Sequence, residues 1–149
     1  MTAEVAWLGV RAGVYGVAPL LVSMLFGLDP SLGMLVVPFI GAVTGLGFAA
    51  LGVFAAAVVP KIDHFNYIQS ALITPLFLVS GTFFPIDELP QAAQVASNLN
   101  PLYHCVQLVR HAVVFGFEAV DLWHAAFLVA FALASWRLAV WRLEKRLIE

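Results

Sequence analysis

Charged residues are scarce in this sequence. Only 11% of its 149 residues are Asp, Glu, Lys or Arg, whereas 62% are hydrophobic, and the mean hydropathy is +0.97. Soluble domains usually carry about 25% charged residues, so the composition excludes that class and predicts an integral membrane protein. The formal net charge of -2 is too small to indicate a nucleic-acid partner.

Cysteine and nucleotide-binding motifs are lacking as well. Cys105 is the single cysteine, which excludes an internal disulfide and any multi-cysteine metal site. No G-x-x-x-x-G-K-S/T stretch occurs, so the usual phosphate-binding loop is missing from this sequence. We therefore expect no cofactor on this chain, no catalytic residue and no enzymatic activity.

What the sequence does contain is long apolar runs, each with at most one charged residue. Four of them reach the length needed to cross a bilayer, namely residues 5–28, 31–59, 65–84 and 122–141. They are continuously apolar instead of alternating, which predicts helices and excludes a barrel. We expect an all-α polytopic protein in which residues 1–149 form one membrane domain with four transmembrane helices.

The few basic residues predict an orientation in the bilayer. Lys61 lies between the second and third runs, and four more basic residues accompany the end of the fourth, namely Arg137, Arg142, Lys145 and Arg146. Basic residues near span ends favour the cytoplasmic side. Both termini are therefore predicted to be cytoplasmic.

Small residues recur at helical spacing in the first two runs. Gly9 and Gly13 are four residues apart, as are Gly41 and Gly45. In membrane helices this spacing lets two backbones approach closely, although it also arises by chance in apolar sequence. These glycines are candidate helix-packing positions.

The segment 85–116 has too few charged residues for a solvated loop, and it is too polar to be a further transmembrane span. Asp87 is a candidate N-cap for a short helix beginning at Glu88. Asn100 is a candidate cap for a second helix, with Pro101 at its first position and Gly116 as its end. Both helices are predicted to form a re-entrant segment at the outer interface. An apolar stripe along the second helix is expected at Leu102, Val106, Val109 and Val113.

Several residues of this region have two readings. Arg110 is a candidate substrate contact, but it is equally a candidate partner of Glu118 or Asp121, or a headgroup contact. Phe83, Phe84 and Tyr103 are candidates to border a substrate path, and aromatic residues also form belts at the membrane interface. Arg110 and these three aromatic residues make up the predicted substrate path.

Histidines do not indicate a metal site. His104 and His111 are seven residues apart, and no H-x-x-x-H pair occurs, so we expect His104, His111 and His124 to bind no metal. Ser80 and Asp87 could be combined with His104 as a triad, but the motif context of a nucleophile is missing.

The order of motifs in this region resembles the ABC-2 type permeases, the membrane subunits of bacterial ATP-binding-cassette exporters. The motifs that carry the resemblance are Thr74-Pro75, Leu78, Ser80-Gly81-Thr82-Phe83-Phe84-Pro85, Leu89-Pro90, Asn100-Pro101-Leu102-Tyr103 and Val109-Arg110. Residues 63–67, at the start of the third run, are similar to the lipo-oligosaccharide branch of the family, which includes nodulation-factor exporters and drug-export relatives. In the family this order marks the fifth helix, two short outer helices and the approach to the sixth.

The resemblance implies an assembly larger than this chain. It implies two permease copies in the bacterial inner membrane, with ATP bound and hydrolysed by a separate ATPase subunit. The connection carrying Lys61, Asp63 and His64 is the expected ATPase contact. The exported compound is expected to be amphipathic, such as a lipo-oligosaccharide, a lipid-linked glycan or a hydrophobic drug.

Residues 4–28 are similar to the family's third helix, so two further spans are expected to precede position 1. The chain then corresponds to the C-terminal four spans of a permease or to a truncated, non-functional one. A stand-alone membrane assembly or scaffold protein is the alternative from a different class.

Overall fold

Helices make up nearly all the regular structure. The computed structural model describes residues 2–59, 62–83 and 86–148, and no strand occurs within those ranges. In chain order the helices are α1 (Thr2–Leu25), α2 (Val37–Val58), α3 (Ile62–Leu78), α4 (Gln91–Asn98), α5 (Pro101–Arg110) and α6 (Val120–Ile148). The predicted all-α fold class is confirmed.

Three of the helical stretches are long and apolar enough to cross a membrane: Ala3–Leu25, Leu32–Val58 and Val120–Lys145. The second consists of a 3-10 turn, Leu32–Val36, that runs directly into α2. Large apolar side chains point outward from these helices; Val14 is 61% exposed and Leu133 is 65% exposed. An outer surface of this kind is stable in lipid, so the protein is a polytopic membrane protein.

The third predicted span differs from the helix found there. α3 has 17 residues and is about 26 Å long, slightly less than the hydrocarbon core of about 30 Å. It ends at Leu78, before the predicted limit, because the chain turns at Ser80 and at Gly81, whose φ is +77°. Glycine adopts this conformation without steric cost. A fourth crossing therefore stays a prediction.

The core forms where α2, α5 and α6 meet. Its buried residues are Val37, Ile40, Leu108, Ala112 and Leu128. α2 is the central helix, packed against α1 on one side and α6 on the other, whereas α3 makes much less contact with the bundle.

Residues 86–116, called the cap segment below, fold as two short helices and two irregular turns. α4 begins at Gln91, so the predicted start at Glu88 with an Asp87 cap is wrong; Ile86–Glu88 is a 3-10 turn instead. Pro90 explains the difference because a proline disfavours helical geometry in the residue before it. α5 begins at Pro101 as predicted, and it continues into a π-helical turn, His111–Phe115, that ends at Gly116 with a φ of +85°.

Candidate functional site

Asn100 joins the start of α5 to the end of α3. Its Oδ1 accepts a hydrogen bond from Leu102 N at 3.0 Å, and its Nδ2 donates to the Leu76 carbonyl at 2.6 Å. The residue is 1% exposed. The first N–H groups and last carbonyls of helices have no partner within their own helix. One side chain therefore satisfies groups at the ends of two helices.

The connection between α1 and α2 rests on the π-helical turn. Ser31 Oγ donates to the Ala112 carbonyl at 3.1 Å. Gly33 lies so close to this carbonyl that an added Cβ would overlap the Ala112 backbone. Together with the Asn100 contacts, this brings the α1–α2 connection and the end of α3 to the same end of the bundle. The start of α6 lies there too, because His111 of the π-helical turn contacts Asp121.

Arg110 binds the turn after α3. Its Nη2 donates to the Gly81 carbonyl at 3.0 Å, and the side chain is exposed. The predicted pairing with Glu118 or Asp121 is not the one found. Asp121 is buried and accepts hydrogen bonds from His111 Nδ1 and Glu118 N, each at 2.7 Å.

Beside Arg110 lies an apolar cavity of about 500 Å³ between α1, α2 and α5. Its lining is almost entirely aliphatic, and Arg110 is the one charged residue among the described residues that form it. The lining residues are Gly16, Pro19, Leu20, Ser23, Leu28, Val37, Gly41, Cys105, Val106, Val109, Arg110, Val113 and Val114. We call it the α1–α5 cavity. Its volume is within the range of about 300–1,000 Å³ that small-molecule sites occupy.

The predicted aromatic residues lie elsewhere. Phe83 packs edge-to-face on Phe77, with ring centroids 5.1 Å apart, and it is 60% exposed. Tyr103 packs against the rings of His104 and His124. Neither Phe83 nor Tyr103 is among the described residues that line the α1–α5 cavity, and Phe84 lies outside the described residues. Of the predicted substrate path, the structure places only Arg110 at this cavity.

The four predicted packing glycines lie between α1 and α2. A Cβ on Gly9 would overlap the Leu46 side chain, and one on Gly45 would overlap the Ala12 side chain. The Gly13 and Gly41 positions likewise face the backbone of the opposite helix. These close approaches are the geometry that small residues allow in membrane helices.

Two buried histidines connect α5 to α6. His104 Nδ1 and His124 Nδ1 are 2.6 Å apart, and His104 Nε2 lies 2.9 Å from the Asn98 carbonyl. The carbonyl only accepts, so Nε2 of His104 carries a proton. In neutral His104, Nδ1 carries no proton and accepts a hydrogen bond that His124 Nδ1 donates. His104 also stacks on Phe127 with centroids 4.0 Å apart.

Acidification is expected to weaken the packing of α5 on α6. Burial lowers the pKa of His104, and this outweighs the hydrogen bond to the Asn98 carbonyl, which raises it. The ionisable groups in contact with it are His124 and Tyr103, and His124 in turn interacts electrostatically with Asp121 and His111. A histidine whose folded pKa is below the unfolded value of about 6.5 contributes its stability above that pH and loses it as the pH falls through the folded pKa.

The test is the thermal unfolding midpoint of the chain in lipid nanodiscs between about pH 7 and about pH 5. We expect the midpoint to fall with pH in the wild type and to fall less in His104→Gln, whose amide nitrogen still donates to the Asn98 carbonyl but does not titrate. Equal falls in the two proteins would show that His104 is not the sensitive group.

The predicted ATPase contact cannot be compared with the structure. Lys61 lies outside the described residues, as do the side chains of Asp63 and His64. The contact stays a prediction.

Ser80 and His104, the two members of the considered triad whose side chains the structure describes, have other partners. The side chain of Asp87 lies outside the described residues. Ser80 Oγ donates to the Phe77 carbonyl and lies 2.7 Å from Thr82 Oγ1, and His104 is occupied by His124 and Asn98. Within the described part of the chain, no group of three or more His, Cys, Asp or Glu side chains is arranged to hold a metal ion.

Sequence reasoning did not foresee the contact between His104 and His124, nor the role of Gly33. Both contacts join separate elements, and the spacing of residues along the sequence does not indicate which elements meet. A signal was present for His104, because it lies on the same face of α5 as the buried Leu108 and Ala112.

Comparison with known proteins places the whole chain among membrane transport proteins. The family model described as ABC-2 type transporter matches residues 1–114. Nodulation protein J of Rhizobium leguminosarum bv. trifolii is 33% identical over 97% of this chain and 55% of its own length, and that of Sinorhizobium fredii is 32% identical over the same shares.

A relative that matches over a shorter part of the chain is the capsule polysaccharide export inner-membrane protein BexB of Haemophilus influenzae. It is 35% identical over 57% of this chain and 32% of its own length. The chain spans about half the length of the nodulation proteins it matches. No solved structure matches it significantly.

Proposed function

Because the chain belongs to the ABC-2 type transporter family, we propose that it is a four-span part of an exporter permease. The exported compound is amphipathic, such as a lipo-oligosaccharide, a lipid-linked glycan or a hydrophobic drug. The observation that carries this proposal is the similarity to Nodulation protein J over 97% of the chain. The export role in BexB's name supports a glycan-containing cargo.

The geometry supports four crossings with the cap segment on the outer side. The cap segment meets the α1–α2 connection through Ser31 and the end of α3 through Asn100. α3 therefore reaches the same end of the bundle as α1, although it is short. The start of α3, which Lys61 precedes in the sequence, and the basic end of α6 lie at the opposite end. The positive-inside bias makes that end cytoplasmic, with both termini, in the inner membrane of a bacterium.

Energy for export comes from a separate ATPase subunit, and two permease copies form the transport unit. The absence of a phosphate-binding loop from this sequence and the family membership support this division of labour. The connection around Lys61, Asp63 and His64 is the proposed docking point, because it lies on the predicted cytoplasmic side.

Copurification tests the partnership. The tagged chain, extracted from its own membranes in mild detergent, is expected to bring down an ATP-binding-cassette ATPase. Charge reversal at the proposed docking point, Lys61→Glu, is expected to reduce ATPase recovery, whereas Arg11→Glu at the exposed face of α1 is not. If no ATPase is recovered with the wild-type chain, the stand-alone scaffold reading replaces the exporter.

A deletion strain tests the export itself. We expect loss of the gene to abolish release of an acylated glycan into the medium and to leave that compound inside the cell, as measured by mass spectrometry of both fractions. Complementation with the wild-type gene should restore release. An unchanged set of released compounds would contradict the proposal.

A further inference from the structure

We propose that the α1–α5 cavity binds the acyl chain of an anionic amphiphile, whose charged headgroup is held by Arg110. The inference rests on the proposed export function for its biological meaning, since the amphiphile is taken to be the exported compound. The binding itself is a property of the cavity and can be measured without transport.

The lining specifies the tail. Its side chains are aliphatic and come from three different helices, including Leu20 of α1, Val37 of α2 and Val109 of α5. Such a surface cannot bind a glycan directly, because sugar hydroxyl groups placed there would lose their hydrogen bonds to water. A hydrocarbon chain has no hydrogen bonds to lose, so burying it against aliphatic side chains is favourable relative to water.

Arg110 specifies the headgroup. It is exposed and is the one charged residue among the described lining residues. A guanidinium has five N–H donors, and the hydrogen bond to the Gly81 carbonyl uses one of them. This bond fixes the guanidinium beside the cavity. The free donors match a phosphate, sulfate or carboxylate, with which arginine forms paired charge-assisted hydrogen bonds.

The binding test uses a photoreactive alkyl phosphate with a diazirine near the end of its chain. The full chain is placed in nanodiscs of phosphatidylcholine, irradiated and digested, and the labelled peptides are mapped by mass spectrometry. Labelling around Val106 and Val109 reports the cavity. Labelling around the exposed Leu133 of α6 reports nonspecific contact with the lipid phase. The ratio of the two corrects for partition of the probe into the bilayer.

Two substitutions with the same chemistry separate the cavity from general effects. A Cβ at Gly16 or at Gly52 would meet nothing within 4 Å, but Gly16 lines the α1–α5 cavity whereas Gly52 lies in a different pocket between α2 and α3. We expect Gly16→Leu to bring the cavity labelling down to the Leu133 level, because the leucine fills the cavity. Gly52→Leu should retain the wild-type ratio.

Substitutions at Arg110 test the headgroup. Arg110→Gln is expected to weaken competition by unlabelled dodecyl phosphate about tenfold, since a charge-assisted bond is lost. Arg110→Lys should retain most of it. Dodecyl maltoside has a chain but no charge, and inorganic phosphate has a charge but no chain. Both should therefore compete poorly with the photoreactive probe for binding to the wild-type protein.

Each remaining outcome has a definite meaning. Cavity labelling equal to that at Leu133 in the wild type, or full labelling in Gly16→Leu, would overturn the proposal. Competition by phosphatidylglycerol as strong as by dodecyl phosphate would assign the cavity to a bilayer lipid and overturn its assignment to cargo. Specific binding together with an unchanged set of compounds released by the deletion strain would leave the site standing and reject the exporter. Unimpaired export by Gly16→Leu would reject the site alone.

Discussion

Replacing Gly33 with alanine is expected to destabilise the folded chain by about 3 kcal/mol, the upper part of the usual range for forcing an extra group into a packed contact. The added Cβ would overlap the backbone of Ala112, not a flexible side chain. Either the α1–α2 connection or the π-helical turn must move. That movement would also stretch the hydrogen bond from Ser31 Oγ to the Ala112 carbonyl.

The matched control is Gly52→Ala in α2, where an added Cβ meets nothing within 4 Å. Because alanine is favoured over glycine inside a helix, this change should stabilise the chain by up to about 1 kcal/mol. Equilibrium unfolding in mixed detergent micelles, followed by tryptophan fluorescence, measures both variants. If the two have the same stability, the close contact between Gly33 and Ala112 is not present in the protein.

Replacing Asn100 with alanine is expected to cost about 3 kcal/mol. The loss of an N-cap costs about 1 kcal/mol, and a buried carbonyl left without its donor adds about 1–3 kcal/mol. The alanine variant incurs both costs, because Asn100 caps α5 and also donates a hydrogen bond to the Leu76 carbonyl. The cap segment should separate from α3, which a spin-label pair on the two elements would report as a longer distance.

Asn98→Ala is the control for this change. Asn98 is exposed, and its side-chain amide donates to the Gln94 carbonyl within its own helix at 3.2 Å. Its replacement should alter the unfolding free energy by less than about 0.5 kcal/mol. Asn100→Asp separates the two roles, because the carboxylate still accepts from Leu102 N but cannot donate to Leu76. A stability of Asn100→Ala equal to that of Asn98→Ala would contradict the described contacts.

The features predicted most accurately depend on local chemistry. Asn100 and Pro101 mark the start of α5, and Gly116 ends the π-helical turn that continues it, because capping and backbone conformation are decided within a few residues. Pro90 shows the limit of this reasoning. A helix beginning at Glu88 would have Pro90 in its first turn, where proline is tolerated, but the steric effect of Pro90 on Leu89 delays the helix to Gln91.

Contacts between distant parts of the chain were beyond a local reading. Three residues of the predicted apolar stripe, Val106, Val109 and Val113, line the α1–α5 cavity. The core-facing side instead contains His104 beside Leu108 and Ala112. A polar residue is stable on that side only because α6 supplies His124 and α4 supplies the Asn98 carbonyl. No spacing within α5 reveals such partners.

The candidate site shows the same division. Arg110 stood out because a charge at this depth of an apolar sequence is costly without a purpose. The α1–α5 cavity could not be foreseen, because its walls combine residues of α1 and α5 that are far apart in the chain. The aromatic residues were predicted to border a substrate path because of their residue type. In the structure Phe83 packs on Phe77 and Tyr103 packs on His104 and His124, away from the α1–α5 cavity.

Transport into inverted membrane vesicles tests the central claim most directly. Vesicles from cells that contain the protein are given the acylated glycan identified in the deletion strain, with ATP present or depleted and with the proton gradient intact or collapsed. The exporter account predicts uptake that requires ATP, persists after the gradient is collapsed and is absent from vesicles of the deletion strain. Uptake that continues without ATP and stops with the gradient would contradict it.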